Sequence, residues 1–114
     1  MNTIDSYHFG QVVINGRKYT SDVIIFPDRV QSNWRRDESH KLTIKDVTAI
    51  MNENLEILLV GTGASGQMRV LPEVERAAES RNIQLIVQPT GEACDTYIQL
   101  SKVKKVVAAL HLTC

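Results

Sequence analysis

The densest potential chemistry in this 114-residue chain lies in Gly61-Thr62-Gly63-Ala64-Ser65-Gly66, which spells G-x-G-x-x-G directly after the apolar run Ile57-Leu58-Leu59-Val60. In that spacing, glycine amides can cradle a pyrophosphate, provided the third glycine opens a helix whose free N–H groups and dipole meet the anion. Here Val70 and Leu71 intervene, Pro72 starts the helix, and Glu73 and Glu75 occupy its first turn. Those carboxylates compensate the dipole and repel a phosphate. The next apolar run ends Val87-Gln88-Pro89, without the acidic residue that would bind a ribose. No dinucleotide cofactor is expected. A narrower role survives. Clefts of open α/β sheets form at the carboxyl ends of parallel strands, so the N–H groups of Gly61, Thr62 and Gly63 could form a nest for a carboxylate or an oxyanion. The alternative is a tight turn that needs positive φ and holds no ligand.

Other residues could contribute to the same place. Thr90-Gly91-Glu92 follows the second apolar run and emerges on the same edge if the two strands are parallel neighbours. Thr90 and Gly91 therefore join the candidate pocket, although Thr90 equally suits an ordinary helix N-cap. Trp34-Arg35-Arg36 could hold an anionic or aromatic ligand through ring and guanidinium contacts. A tryptophan in such a loop more commonly anchors it to the core. His111-Leu112-Thr113-Cys114 offers an imidazole and a thiol, but residues three apart on a strand point to opposite faces. The terminal carboxylate beside Cys114 also disfavours a thiolate. Cys114 is expected to pack, and His111 to be a hydrogen-bonded structural histidine. Cys94, Cys114, His8, His40 and His111 lack paired ligand spacing, so no metal is expected. No catalytic set emerges.

Length and composition narrow the classes. One domain with a single core is expected at this length. Apolar residues make up 43% and charged residues 23%, with 13 basic and 13 acidic side chains cancelling. That balance excludes a global field for nucleic acid or an anionic membrane surface. No run approaches a membrane span, and Met1-Asn2-Thr3-Ile4-Asp5 has neither signal nor transit-peptide pattern. A cytoplasmic location with both cysteines reduced follows as the expectation.

The elements that must position these residues read as follows. Phe9 to Ile14 and Arg17 to Thr20 flank Asn15-Gly16, the dipeptide suited to a type I′ hairpin. Val23 to Phe26 forms a strand stopped by Pro27. Gln31 to Lys41 is a loop, with a short edge strand near Val30. Thr43 to Asp46 opens a helix with Val47, Ile50 and Met51 as its stripe. Ile57 to Val60 is a strand buried on both faces, Pro72 to about Ser80 a helix, and Ile83 to Val87 a second buried strand. Thr90 caps a third helix whose apolar face carries Ala93, Cys94, Tyr97, Ile98 and Leu100. Lys105 to Leu112 is the last strand. Strand, helix, strand over 57–87 makes a βαβ unit with a parallel pair. The fold class is α/β, a mixed sheet flanked by helices with an added N-terminal β-hairpin layer.

Several segments in order resemble the adipogenesis-associated Mth-domain family, which includes a mitochondrial respiratory complex I assembly factor. They are Phe9-Gly10, Tyr19 through Ile25, Trp34, Val60-Gly61-Thr62-Gly63, Thr90-Gly91-Glu92-Ala93, Tyr97 and the closing His111-Leu112-Thr113-Cys114. The family usually has asparagine directly after the tyrosine matching Tyr97, where this chain has Ile98. The resemblance implies a single three-layer α/β domain over 1–114, with a mixed central sheet of about five strands and an extra β layer. It implies no established reaction. The expectation is a non-catalytic module that binds a protein partner. The rival is a small anionic-ligand binder or enzyme using the glycine loop as an oxyanion pocket.

Overall fold

The computed structural model describes residues 2–114. Its first half is mostly strand: β1 (Ile4–His8), β2 (Gln11–Ile14), β3 (Arg17–Tyr19), β4 (Val23–Ile25), β5 (Val30–Gln31) and β6 (Lys41–Leu42). Helix α1 (Ile44–Met51), β7 (Ile57–Thr62), β8 (Arg69–Val70) and α2 (Pro72–Ser80) follow. The chain closes with β9 (Gln84–Gln88), α3 (Thr90–Leu100) and β10 (Val106–His111).

The central sheet has the order β5-β4-β10-β7-β9, with β10, β7 and β9 parallel and β4 and β5 antiparallel. Every residue of β7 and β10 is buried, as expected of strands covered on both faces. Strand alternation then sorts the side chains into two cores. Ile24, Leu58, Val60, Val107 and Ala109 meet α1 and α2 on one face. Val23, Ile25, Ile57, Leu59, Ala108 and Leu110 meet α3 and the β1-β2-β3 sheet on the other. The chain steps outward from β7 to β9 through α2 and back to β10 through α3. Crossovers of one hand taken in opposite directions put their helices on opposite faces.

Local signals explain the boundaries. Asn15 and Gly16 adopt φ of 53° and 78°, the two positive angles a type I′ turn demands. Thr43 and Asp46 form a capping box at α1, and Pro72 sits in the first turn of α2, where no N–H is missed.

Three expectations need correction, and β1 adds a strand that the sequence pattern does not mark. The strand placed at Phe9 begins only at Gln11, because Phe9-Gly10 is the turn that joins it to β1. Strand β1 itself escapes a periodicity reading because, of Ile-Asp-Ser-Tyr-His, only Ile4 is buried. The strand near Ile83–Val87 is not buried on both faces: β9 is the sheet edge, and Val87 is 43% exposed. Finally, the N-cap of α3 is Pro89, which leaves Thr90 inside the first turn with its hydroxyl committed elsewhere.

Candidate functional site

Strands β7 and β10 end side by side, with His111 in register with Thr62, and the segments that follow them meet above the sheet. Gly61 is required for space. A Cβ there would lie 2.9 Å from both Leu110 Cδ2 and Thr90 Oγ1, closer than carbon atoms tolerate. Gly63 is required for both space and angle. Its φ is +105°, and a Cβ would come within 2.6 Å of the Cys114 carbonyl.

Thr90 joins three segments. Its Oγ1 accepts from the Gly63 N–H at 2.8 Å and donates to the His111 carbonyl at 2.5 Å, while its own N–H donates to the Gly63 carbonyl at 3.0 Å. Thr62 Oγ1 donates to the Gln88 carbonyl at 3.1 Å. The loop and the start of α3 therefore come together as expected. Most donors of the loop do not face an open space, however. Besides Gly63, the amides of Ala64, Gly66, Gln67 and Met68 donate to Thr113, Gly63, Cys114 and Thr62 carbonyls.

Beside this loop sits a charged cluster. Asp22, just before β4, accepts from the Leu112 N–H at 2.8 Å through Oδ1. Its Oδ2 lies 2.8 Å from His111 Nδ1 and 2.9 Å from Arg36 Nη1, the latter placed for ion pairing without hydrogen-bond alignment. Arg36 Nη2 donates to the Ser39 carbonyl and approaches His111 Nδ1, both at 3.0 Å, and its guanidinium lies over the Trp34 ring at 4.7 Å. One nitrogen cannot serve Asp22 and Arg36 equally. The shorter contact to a carboxylate fits an Nδ1–H donating to Asp22. Burial alone would push the Asp22 carboxyl up. The hydrogen bonds from His111 and Leu112, the His111 charge and the adjacent Arg36 guanidinium outweigh it and hold the group below its ordinary value. Arg36 Nε and His111 Nε2 are buried without partners among the described residues.

Outside the cluster, the Cys114 thiol and His40 Nε2 lie 3.8 Å apart, and the His40 ring meets the His111 ring edge-on at 6.1 Å. The β6–β8 ladder holds His40 there, because the Arg69 N–H donates to the His40 carbonyl. A thiol beside an imidazole is the raw material of a nucleophile. An acyl-transfer site would also need unengaged donors aimed at a developing oxyanion, and the neighbouring amides named above are already donated within the chain.

The candidate residues distribute unevenly. Gly61, Thr62, Gly63, Thr90 and His111 converge, and the buried Trp34 meets the neighbouring cluster through Arg36. Of the two arginines after Trp34, Arg35 is exposed and takes no part, whereas Arg36 joins the cluster. Cys114 is exposed and does not pack in the core. Gly91 is also exposed, one residue beyond the junction. His40 enters the sequence reading only as one of three scattered imidazoles without ligand spacing, and Asp22 carries no site expectation, since no motif in its local sequence marks it. The one signal at Asp22 is a charged residue standing next to a predicted core strand. Among the described residues no group of three or more His, Cys, Asp or Glu could hold a metal ion.

Residues 4–111 match the family described as protein of unknown function DUF498/DUF598. This chain belongs to that family. The DUF498/DUF598 chain is 31% identical over 96 residues to NADH dehydrogenase (ubiquinone) 1 alpha subcomplex assembly factor 3 of Bos taurus, and 24% over 108 residues to the protein of that name in Xenopus tropicalis. These alignments cover 82% and 93% of this chain but 51% and 58% of the relatives, so the chain spans little more than half their length. Among solved structures, a conserved hypothetical protein of Pyrococcus horikoshii matches at 31% identity and TM-score 0.88, over 98% of this chain and 99% of that one. A Mth938-like domain protein of Bordetella pertussis, at 22% identity and TM-score 0.75 over 97% of this chain and 85% of that one, shares the fold.

Proposed function

We infer that this domain is a protein-binding module of the assembly-factor kind, working through its surface and not through a chemical step. The observation that carries the reading is its 31% identity, over 82% of the chain, to a protein named as an assembly factor. The polar geometry above the sheet agrees with it. Thr90 and the glycine loop exchange hydrogen bonds with each other and with the 111–114 tail, and Asp22 neutralises Arg36. Together they act as a clasp that holds the tail down. A cytoplasmic setting is part of the proposal: Cys94 and Cys114 are both free, and an exposed free thiol suits a reducing compartment. No helix is long and apolar enough to cross a membrane among the described residues.

The test is isolation of the chain from its own cells at native expression level, followed by native mass spectrometry. A complex of fixed stoichiometry with another protein is expected. Recovery of the free chain alone counts against the reading.

A second reading keeps Gly61, Thr62, Gly63, Thr90 and Gly91 as a pocket for a small anion. The observation in its favour is Gly91, an exposed first-turn residue of α3 with open space where a Cβ would stand. Amide shifts recorded while titrating acetate and phosphate separate the two. Saturable shifts centred on Gly63, Thr90 and Gly91 favour the anion, whereas silence there leaves the partner reading.

A further inference from the structure

The outer edge of β9 lacks the usual defences of an exposed strand. It is five residues long, Gln84-Leu85-Ile86-Val87-Gln88, carries no charge and no proline, and keeps an unbroken register with β7. Edge strands are normally blunted by lysine, proline, a bulge or shortness, and the opposite edge, β5, is only two residues long. Among the described residues, strand β9 pairs with β7 alone. The Gln84 N–H donates to the Glu56 carbonyl, which aligns the even-numbered residues of β9 toward β7. Backbone direction alternates along a parallel ladder, so the N–H and C=O groups of Leu85 and Val87 point outward.

The side chains around that edge describe what would pair with it. On one face, Ala78, Ile83, Leu85 and Val87 form the floor of a groove of about 430 Å³ between β9 and α2, with Glu75 and Glu79 on its helical wall. Neither glutamate belongs to an ion pair among the described residues, and Arg81 turns back toward the Ala77 carbonyl. On the other face lies Ile86, which packs toward the α3 core. A strand added here would place alternate side chains over the groove and beside Ile86. A lysine or arginine suits the groove, its stem crossing Leu85 and Val87 while its charged end reaches Glu75 and Glu79. An aliphatic residue suits Ile86. A second copy of this chain fits poorly, because two-fold antiparallel pairing of β9 would set both α2 helices on the same sheet face with their acidic walls opposed.

We propose that the β9 edge receives an extended segment of a partner protein, alternating basic and aliphatic residues, as a sixth strand of the central sheet. This rests on the partner-binding reading and names the surface and the chemistry of the partner. Main-chain pairing supplies affinity and the acidic groove supplies selectivity.

The probe is a blocked seven-residue peptide alternating lysine and valine, set against a glutamate–valine counterpart. Expected are saturable amide shifts and slowed amide exchange centred on Leu85 and Val87 with the basic peptide alone. Affinity should fall at least tenfold in Val87→Pro, which removes an outward N–H and no bond to β7. The same loss is expected in Glu75→Lys/Glu79→Lys, whose exposed helical positions leave the fold intact should the proline variant unfold. Equal binding of the acidic peptide, shifts confined to other surfaces, or a wild-type dimer abolished by Val87→Pro overturns the assignment. In cells, a wild-type complex retained in full by both variants overturns the edge proposal alone. A wild-type chain with no partner defeats the underlying reading instead.

Discussion

Replacing Gly63 by alanine should cost the domain about 3–4 kcal/mol, far more than a buried loop glycine costs when it only turns the chain. Two contributions combine. The φ of +105° lies where L side chains are rarely found, and holding alanine there costs roughly 1–2 kcal/mol. The added Cβ would also stand 2.6 Å from the Cys114 carbonyl carbon and oxygen and 2.7 Å from the Thr113 oxygen, so the tail must move. Movement breaks the Ala64 to Thr113 and Gln67 to Cys114 hydrogen bonds. Each is worth about 1 kcal/mol net. Against a total stability of roughly 5–15 kcal/mol, the loss is large. Equilibrium urea unfolding measures it, with two internal controls. Gly66→Ala meets the same kind of angle, φ +69°, but its nearest contact is 3.4 Å, so only the strain of about 1 kcal/mol should appear. Gly91→Ala meets nothing within 4 Å and should be close to neutral. A Gly63→Ala loss no larger than that of Gly66→Ala would refute the reasoning that the tail is clamped on the loop.

Asp22→Asn removes the ionic partner of the buried Arg36 and should cost on the order of 3 kcal/mol in the same assay. Because the Asp22 carboxyl is held below its ordinary value of 3.8, its contribution is complete above that pH and is lost as pH falls through the lowered value. Wild-type stability should therefore drop more steeply below pH 3.8 than that of Asp22→Asn. Thr90→Val leaves the Gly63 N–H and the His111 carbonyl without their buried partner, and a loss of about 1–3 kcal/mol, largely restored by Thr90→Ser, is expected. Alkylation of the native protein should modify Cys114 and spare Cys94, whose thiol is pushed up to about 12 by burial and, secondarily, by the Asp95 charge. A thiol kept neutral by the fold also means that stability declines with rising pH between the ordinary 9.0 and about 12, a slope that Cys94→Ala should flatten.

What could be read from the residues was local. Asn15-Gly16, the Thr43–Asp46 box and Pro72 each mark a boundary through a conformational requirement of a few adjacent atoms, and the structure places turns and helix starts there. The double-faced burial of Ile57–Val60 and Val106–Leu110 was equally plain, since an unbroken aliphatic run has no polar face to offer water. The βαβ rule then sufficed to bring Gly63 to Thr90. The clasp was illegible for the opposite reason. Asp22 and Arg36 meet His111 across 89 and 75 residues, and no short-range period connects them. The choice between Arg35 and Arg36 depends on which side chain falls over the Trp34 ring, a matter of backbone path in an aperiodic loop. Likewise, the aliphatic content of β9 does not tell an edge strand from a central one; that follows from the strand order.

Amide hydrogen exchange, measured on the chain alone and again within the complex isolated from its own cells, tests most directly whether the glycine loop is structural and the outer surface functional. The amides of Gly63, Ala64, Gly66 and Gln67 should already exchange slowly in the free chain and stay unchanged in the complex, with new protection at Leu85 and Val87. Fast exchange at residues 63–67 that slows only when a small anion is added would contradict the account.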